Sequence, residues 1–256
     1  MGSRGTGKPP GDHSAFLIGR TVYLRPPDLE KDVRSGAWFT WFNDKATTQY
    51  LPSQGIWPNT LEKQVAYVES LKEDRARLSL CIIDRQTEKH IGVISLYNID
   101  LVVRRANISI VIGAKQHAPE APLESMALMT EHAFDRLNLL KVDAGQDEAL
   151  WKWINTLELI GYRLEGYTES YTVRDGATRN GVFTGVTAAR FYALRRARGG
   201  EMLPADLRGL LRTRRVENMV LRAKAGLAAL YEQAAPGLGG SPAEDALTAQ
   251  GLRGRE

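Results

Sequence analysis

A single cysteine among 256 residues, Cys81, leaves no partner for a disulfide and too few thiolates for a cysteine-built metal site. It lies in the apolar run LSLCIID, where a buried strand position is expected. The four histidines, His13, His90, His117 and His132, show no metal-ligand spacing with one another or with nearby acids, so no metal cofactor is implied. No stretch approaches the roughly 20 apolar residues that a membrane helix needs. The opening MGSRGTGKPPGDHS lacks the apolar core of a signal peptide, and the expectation is a soluble, cytoplasmic chain with no membrane span.

What is present is material for one sizeable core plus appendages, at 43% hydrophobic residues. Charge is unevenly placed. Residues 194–256 carry 11 Lys/Arg against 7 Asp/Glu, leaving 23 of each sign before them, so the whole formal excess of +4 sits in the tail. A neutral body argues against nucleic-acid binding by the core. The basic tail fits either a solvated helix face or contact with a protein or RNA partner.

Residues 1–15, rich in Gly, Pro, Ser and charge, are expected to be disordered. RTVYLRP (20–26) alternates as a strand, and Pro26-Pro27-Asp28 opens a helix predicted to reach Phe42. Thr60 caps a second helix, with Leu61, Val65, Val68 and Leu71 on one face. Strands over 78–84, 90–100 and 106–113 suit an antiparallel meander. In the last, Ile108, Ile110 and Ile112 share one face while Asn107, Ser109 and Val111 share the other. A helix over 121–137, a strand over 141–146, a helix over 148–160 and strands in GYRLEGYTESYTV and GVFTGVTAARFYAL complete the order β-α-α-β-β-β-α-β-α-β-β. Beyond it, helical recurrence from Leu207 to Tyr231 predicts a basic amphipathic extension over 194–235, docked on this domain, a second subunit or another protein. Residues 236–256 are expected to be disordered.

Five segments occur in a telling order: YLRPPDLEKDV (23–33), WFTWFNDKATTQYL (38–51), HIGVISLYNIDLVVRRANISIVIG (90–113), EHAFDRLNLLKV (131–142) and LIGYRLEGY (159–167). Together with the element order they resemble the GNAT N-acetyltransferase superfamily, in its branch of ribosomal-protein N-terminal and nucleotide-amino-sugar acetyltransferases. The resemblance implies a mixed α/β (α+β) domain over 16–193. It would have a mostly antiparallel twisted sheet of about seven strands, the fourth and fifth splayed, and helices on both faces. It also implies acyl transfer from acetyl-CoA, a co-substrate, to a primary amine, with a nucleotide-linked amino sugar favoured over a protein N-terminus. Pantetheine would pair with Ile110, Val111 and Ile112. The pyrophosphate would lie at Lys115, Gln116, His117, Ala118, Glu120 and Ala121, where a loop and helix N-terminus offer backbone N–H groups.

The sequence departs from that family's pattern in three places. The loop KQHAPEAPLES (115–125) has two prolines and no glycine, and Glu120 and Glu124 bring negative charge toward the phosphate position. Asn107 stands where many relatives carry a glutamate base, and an amide orients water but cannot take its proton. Asp100, Glu165 and Glu169 are possible replacements. By its spacing from Gly161, Leu157 occupies the usual tyrosine-acid position, leaving Tyr162 or Tyr167 to act as acid or to pack. Trp38, Trp41, Asn43, Asp44 and Tyr50 form the most substrate-like constellation, read equally well as a buried helix stripe with a helix stop.

Two other classes remain open beside the enzyme. One is a scaffold of GNAT type that has lost acyl-CoA chemistry and works through its basic tail. The other is a transferase with a different donor, such as aminoacyl-tRNA held by the tail arginines. A homodimer is compatible with each.

Overall fold

The computed structural model describes residues 14–234, so nearly all of the two stretches expected to be disordered lies outside the described residues. In chain order the elements begin with β1 (Leu17–Ile18), β2 (Val22–Arg25), a π-type turn over Leu29–Arg34, α1 (Trp38–Trp41), α2 (Lys45–Thr48) and α3 (Leu61–Ser70). The meander β3 (Leu78–Asp84), β4 (His90–Asp100) and β5 (Arg105–Ile112) follows, then α4 (Ala121–Asp135), β6 (Lys141–Asp147) and α5 (Trp151–Leu157). The hairpin β7 (Arg163–Arg174) and β8 (Ala177–Thr187) leads into α6 (Ala188–Ala197), α7 (Leu207–Arg212) and α8 (Met219–Ala234).

All eight strands form one sheet in the order β1-β2-β3-β4-β5-β6-β8-β7, antiparallel except for β5 with β6. The near-continuous burial of β2 and β3 follows from cover on both faces. Alternation sorts the side chains. Ile94, Leu96 and Ile108 face α4, in a cluster with Leu123, Met126, Met129 and Phe134. Cys81, Ile83 and Val93 face the other way, under Trp38, Trp41 and Val68. Cys81 is thus the buried strand residue its surroundings predicted.

Two expectations need correction. The helix predicted to run to Phe42 is broken. Asp28 caps the first turn by accepting from Glu30 and Lys31 backbone N–H groups, but at Gly36 the chain passes so close that a Cβ would stand 2.3 Å from the Asp32 carbonyl oxygen. Asp44 then starts a separate helix, α2, by accepting from Ala46 N–H. The last strand ends at Thr187, whose hydroxyl accepts from Arg190 N–H, and the helix-forming run AARFYALRRA continues as α6. With the two-residue strand β1 the sheet has eight strands, in keeping with the expected count of about seven.

Residues up to Val216 form one compact unit and Glu217 onward a second. The expected boundary at residue 193 falls inside α6. Leu207 is buried and Leu210 and Leu211 pack against the main core, so the first part of the apolar stripe docks on the domain itself. In the second unit, the Asn218 side chain accepts from the Val220 and Leu221 N–H groups at the start of α8.

Candidate active site

The parallel neighbours β5 and β6 pair only at Arg105↔Lys141, Ala106↔Val142 and Asn107↔Asp143. Beyond that point each strand keeps its outer partner: β5 pairs with β4 as far as Ile112, and β6 with β8 as far as Asp147. The two therefore diverge, and the edge from Ile108 to Ile112 faces a gap rather than a strand. Its backbone donors and acceptors are available to an extended ligand, as at any sheet edge.

On the face of β5 that carries Ser109 and Val111 lies a cavity of about 390 Å³, walled by α1, α3 and the loop before α3. Ser95 and Ser109, paired in register, belong to its floor, and the Ser95 hydroxyl lies 2.8 Å from that of Ser79 on the next strand. Trp38 and Gln64 line it, and each has a buried N–H donor, Trp38 Nε1 and Gln64 Nε2, with no hydrogen-bond partner. The charged groups in the lining are Lys63 and Arg77, both cationic.

Of the five acceptor-site residues read from the sequence, only Trp38 lines this cavity. Trp41 is buried beside Gly113, where a Cβ would meet its ring at 2.0 Å, so glycine alone allows that approach. Asn43 clamps the cavity's rim from behind: it donates to Asn59 O and accepts from Asn59 N–H, both at 2.8 Å. Asp44 caps α2, and Tyr50 lies under the Arg179 guanidinium, 5.7 Å from ring centre to Cζ. Lys63, Gln64 and Arg77 were missed. On a helix and in a loop they read as ordinary solvated polar positions, and no local spacing marks them.

At the vertex of the gap Asn107 accepts from Asn98 Nδ2 at 3.2 Å and stands opposite Asp143. That carboxylate also escaped the sequence reading. It pairs with Arg105 Nη2 at 2.7 Å and Lys141 Nζ at 3.0 Å, and Lys141 in turn reaches Glu165 at 2.5 Å. Asp100 is occupied with the N–H groups of Val102 and Val103. Tyr162 is 1% exposed, and its hydroxyl shares a 2.8 Å hydrogen bond with Thr130 of α4. Burial pushes that hydroxyl above the usual phenol range, so sealed packing is the role its surroundings support. Across the gap, Tyr171 packs edge-on against Phe183 and keeps 38% exposure. A Cβ on Gly145 would lie 3.9 Å from its hydroxyl.

Around the start of α4, Lys115 and Gln116 are exposed, and His117 Nδ1 donates to Ala118 O at 2.9 Å. Ala121 N–H is spent on Ala118 O, and Pro122 has none to give. Two first-turn donors are therefore not on offer to an anion. Glu120 is buried there beside Glu124, whose carboxylate accepts from the N–H groups of Arg20, Thr21 and Val22. The open edge of β5 fits a pantetheine arm, whereas this helix start does not fit a diphosphate as it stands.

A family model for an acetyltransferase (GNAT) domain matches residues 21–163, more than half of the chain. The chain belongs to the GNAT acetyltransferase family. Among solved structures, a GCN5-related N-acetyltransferase from Brucella melitensis superposes with TM-score 0.61 at 20% identity, over 79% of this chain and 96% of that one. Mycobacterium smegmatis RimJ in complex with CoA-disulfide gives 0.59 at 18%, over 70% and 89%. Spermidine N-acetyltransferase from Vibrio cholerae, in complex with CoA and spermine, gives 0.56 at 19%, over 67% and 98%. At such identities the likeness is one of fold. No curated protein matches the sequence.

Beneath the cavity wall this GNAT domain holds a buried charge network. Arg25 donates to both oxygens of Asp32, at 2.6 and 2.7 Å, and Asp28 N–H and the Cys81 thiol also point to Oδ2. Burial works to raise the Asp32 carboxyl, but the Arg25 and Asp28 hydrogen bonds with the nearby positive charge outweigh it, and the group stays below the usual carboxylate range. His90 donates from Nε2 to Gly92 O at 2.9 Å, with Nδ1 3.3 Å from Asp32. Burial between the Trp38 and Trp41 rings outweighs the attraction of Asp32 and lowers the imidazole to about 4. Asp32, Cys81 and His90 are the one group among the described residues with the spacing of metal ligands, but the Arg25 guanidinium already stands where a cation would neutralise the carboxylate.

Proposed function

We propose that the chain is an N-acyltransferase that moves an acetyl or related acyl group from acyl-CoA to a primary amine borne by a nucleotide-linked amino sugar. The observation that carries this reading is the gap between β5 and β6, with an open strand edge on one side and, on the adjoining face, a half-open cavity lined by aromatic residues, serines and two cations. An acyl-pantetheine lying along Ile108–Ile112 presents its thioester near that cavity. The amine attacks the thioester carbonyl, an N–C bond forms, the C–S bond breaks, and the amine's proton is lost as the thiolate regains one. Asn107 and Asp143 hold the water that takes the first proton, and Tyr171, 38% exposed with its hydroxyl near Gly145 of β6, stands on the far wall.

The acceptor class is supported by charge. The cavity lining holds Lys63 and Arg77 and no carboxylate, a balance that suits anionic, acceptor-rich ligands such as sugar phosphates. A polyamine would bring positive charge toward two cations. Steady-state CoA release with a UDP-linked amino sugar, free glucosamine and spermidine tests this. The nucleotide sugar is expected to exceed spermidine in kcat/KM by about a hundredfold. Spermidine as the better acceptor overturns the acceptor class. The absence of both CoA release and saturable acetyl-CoA binding overturns acyl transfer itself, in favour of a binding scaffold, the reading that the filled α4 start favours.

A further inference from the structure

After α6 the chain turns on Gly199 and Gly200, both in the left-handed region at φ 78° and 100°. Residues 201–216 then run back across α4 and α5, the two helices that follow the splayed strands. Met202 and Leu207 are buried, and Leu203, Leu210 and Leu211 pack against the main core. Arg20, between β1 and β2, holds the Leu203 and Pro204 carbonyls and pairs with Glu201 at 2.6 Å. Arg208 Nε pairs with Glu120 Oε1 at 2.8 Å, at the residue that opens α4. On α5, Asn155 Nδ2 donates to Arg215 O at 2.9 Å and Arg214 to Thr156 Oγ1 at 3.3 Å, while Arg215 pairs with Glu158 at 3.2 Å just beyond.

This segment ties together α4 and α5, the helices that follow the two splayed strands. Glu120 already supplies the anion that a helix N-terminus attracts. One of its oxygens is bound by Arg208 and the other is buried without a hydrogen-bond partner. A diphosphate approaching α4 would meet the Glu120 and Glu124 carboxylates and a segment tied down over them. None of the strap residues lines the acceptor cavity.

We propose that residues 201–216 form an intramolecular gate, in which the docked strap and Glu120 close the nucleotide end of the donor channel and acyl-CoA binds only the undocked state. This rests on acyl-CoA being the donor. Because the two states differ in which charges meet Arg208, the ligand and the strap compete, and the apparent donor affinity is reduced by the fraction of chains with the strap undocked. On the strap's side the anchoring pairs suit such an exchange, since the Arg208 and Arg215 side chains are 66% and 47% exposed and can trade their carboxylates for water.

The test uses the full chain in two measurements. Amide hydrogen exchange with and without saturating acetyl-CoA should rise over residues 203–216 when the donor binds. Calorimetry on an Arg208→Ala/Arg215→Ala double variant should give a Kd for acetyl-CoA about tenfold tighter than the parent. Both substitutions are at partly exposed side chains, and an unchanged circular dichroism melt confirms the fold. Donor binding that protects the strap, or a variant Kd equal to or weaker than the parent's, overturns the gate while leaving acyl transfer standing. If neither parent nor variant binds acetyl-CoA, the donor assignment fails and the gate with it.

Discussion

On the acceptor face Arg25 and Asp32 pair with side-chain exposures of 7% and 1%, while at the nucleotide end Arg208 and Glu120 pair with exposures of 66% and 8%. The first pair is built into the core beneath Trp38 and Trp41; the second joins a surface arginine on a short helix to the start of α4. Both bring opposite charges to 2.6–2.8 Å, so the separation does not distinguish them. Desolvation does. Removing one member of a buried pair strands an uncompensated charge, whereas an exposed partner is rescued by water. The acceptor side therefore reads as a fixed wall and the nucleotide side as a closure that can be exchanged.

The largest effect should come from breaking the fixed wall. Asp32→Asn leaves Arg25 buried without its counter-charge and should cost about 3–5 kcal/mol, measured by urea denaturation. A cost below about 1 kcal/mol would make the two pairs equivalent and remove the contrast.

Acid should act on the same face. His90 is held neutral down to about 4 by burial, against an ordinary value of 6.5. Between those values the unfolded chain binds a proton that the folded chain does not. Stability should therefore fall as pH falls through that window, by about 1.4 kcal/mol per pH unit from this residue. Asp32, with its lowered carboxyl, contributes stability above its unfolded value of 3.8 that is lost only below it, so the two effects separate on the pH axis. Denaturation midpoints of the parent and a His90→Gln variant, compared from pH 7 to 4.5, isolate the histidine. Equal slopes in both would assign the acid sensitivity elsewhere.

How much of this was legible in the sequence follows from the range of the interactions. The meander, α3 and its Thr60 cap depend on periodicity and local capping, and they came out at or near their predicted bounds. The glycine-free loop and its misplaced carboxylates were also visible, because Glu120 and Pro122 lie within a few residues of each other. What failed was long-range. Asp143 becomes a vertex residue only when parallel pairing sets it opposite Asn107, and Lys63 and Arg77 come to line one cavity only through the fold. Tyr162 stood open between acid and packing because one chain position cannot report that Thr130 of α4 covers it. The helix predicted to reach Phe42 failed for a subtler reason: it spans Gly36, whose tight approach to the Asp32 carbonyl ends the turn.

The smallest effect on stability should be the most informative about the contrast. Glu120→Gln keeps an oxygen for Arg208 and removes only the charge, so with a partner that is 66% exposed it should cost about 0.3–1 kcal/mol. The same change takes away one of the two carboxylates an incoming diphosphate would meet, and it weakens the hold on the strap. Acetyl-CoA affinity should therefore rise about threefold or more while the melting temperature hardly moves, a combination a purely structural residue does not give. A wall residue such as Asp32 should behave the other way, losing stability without gaining donor affinity. If Glu120→Gln instead destabilises the fold as Asp32→Asn does, the α4 start is part of the core and the nucleotide end is closed by construction rather than by a displaceable strap.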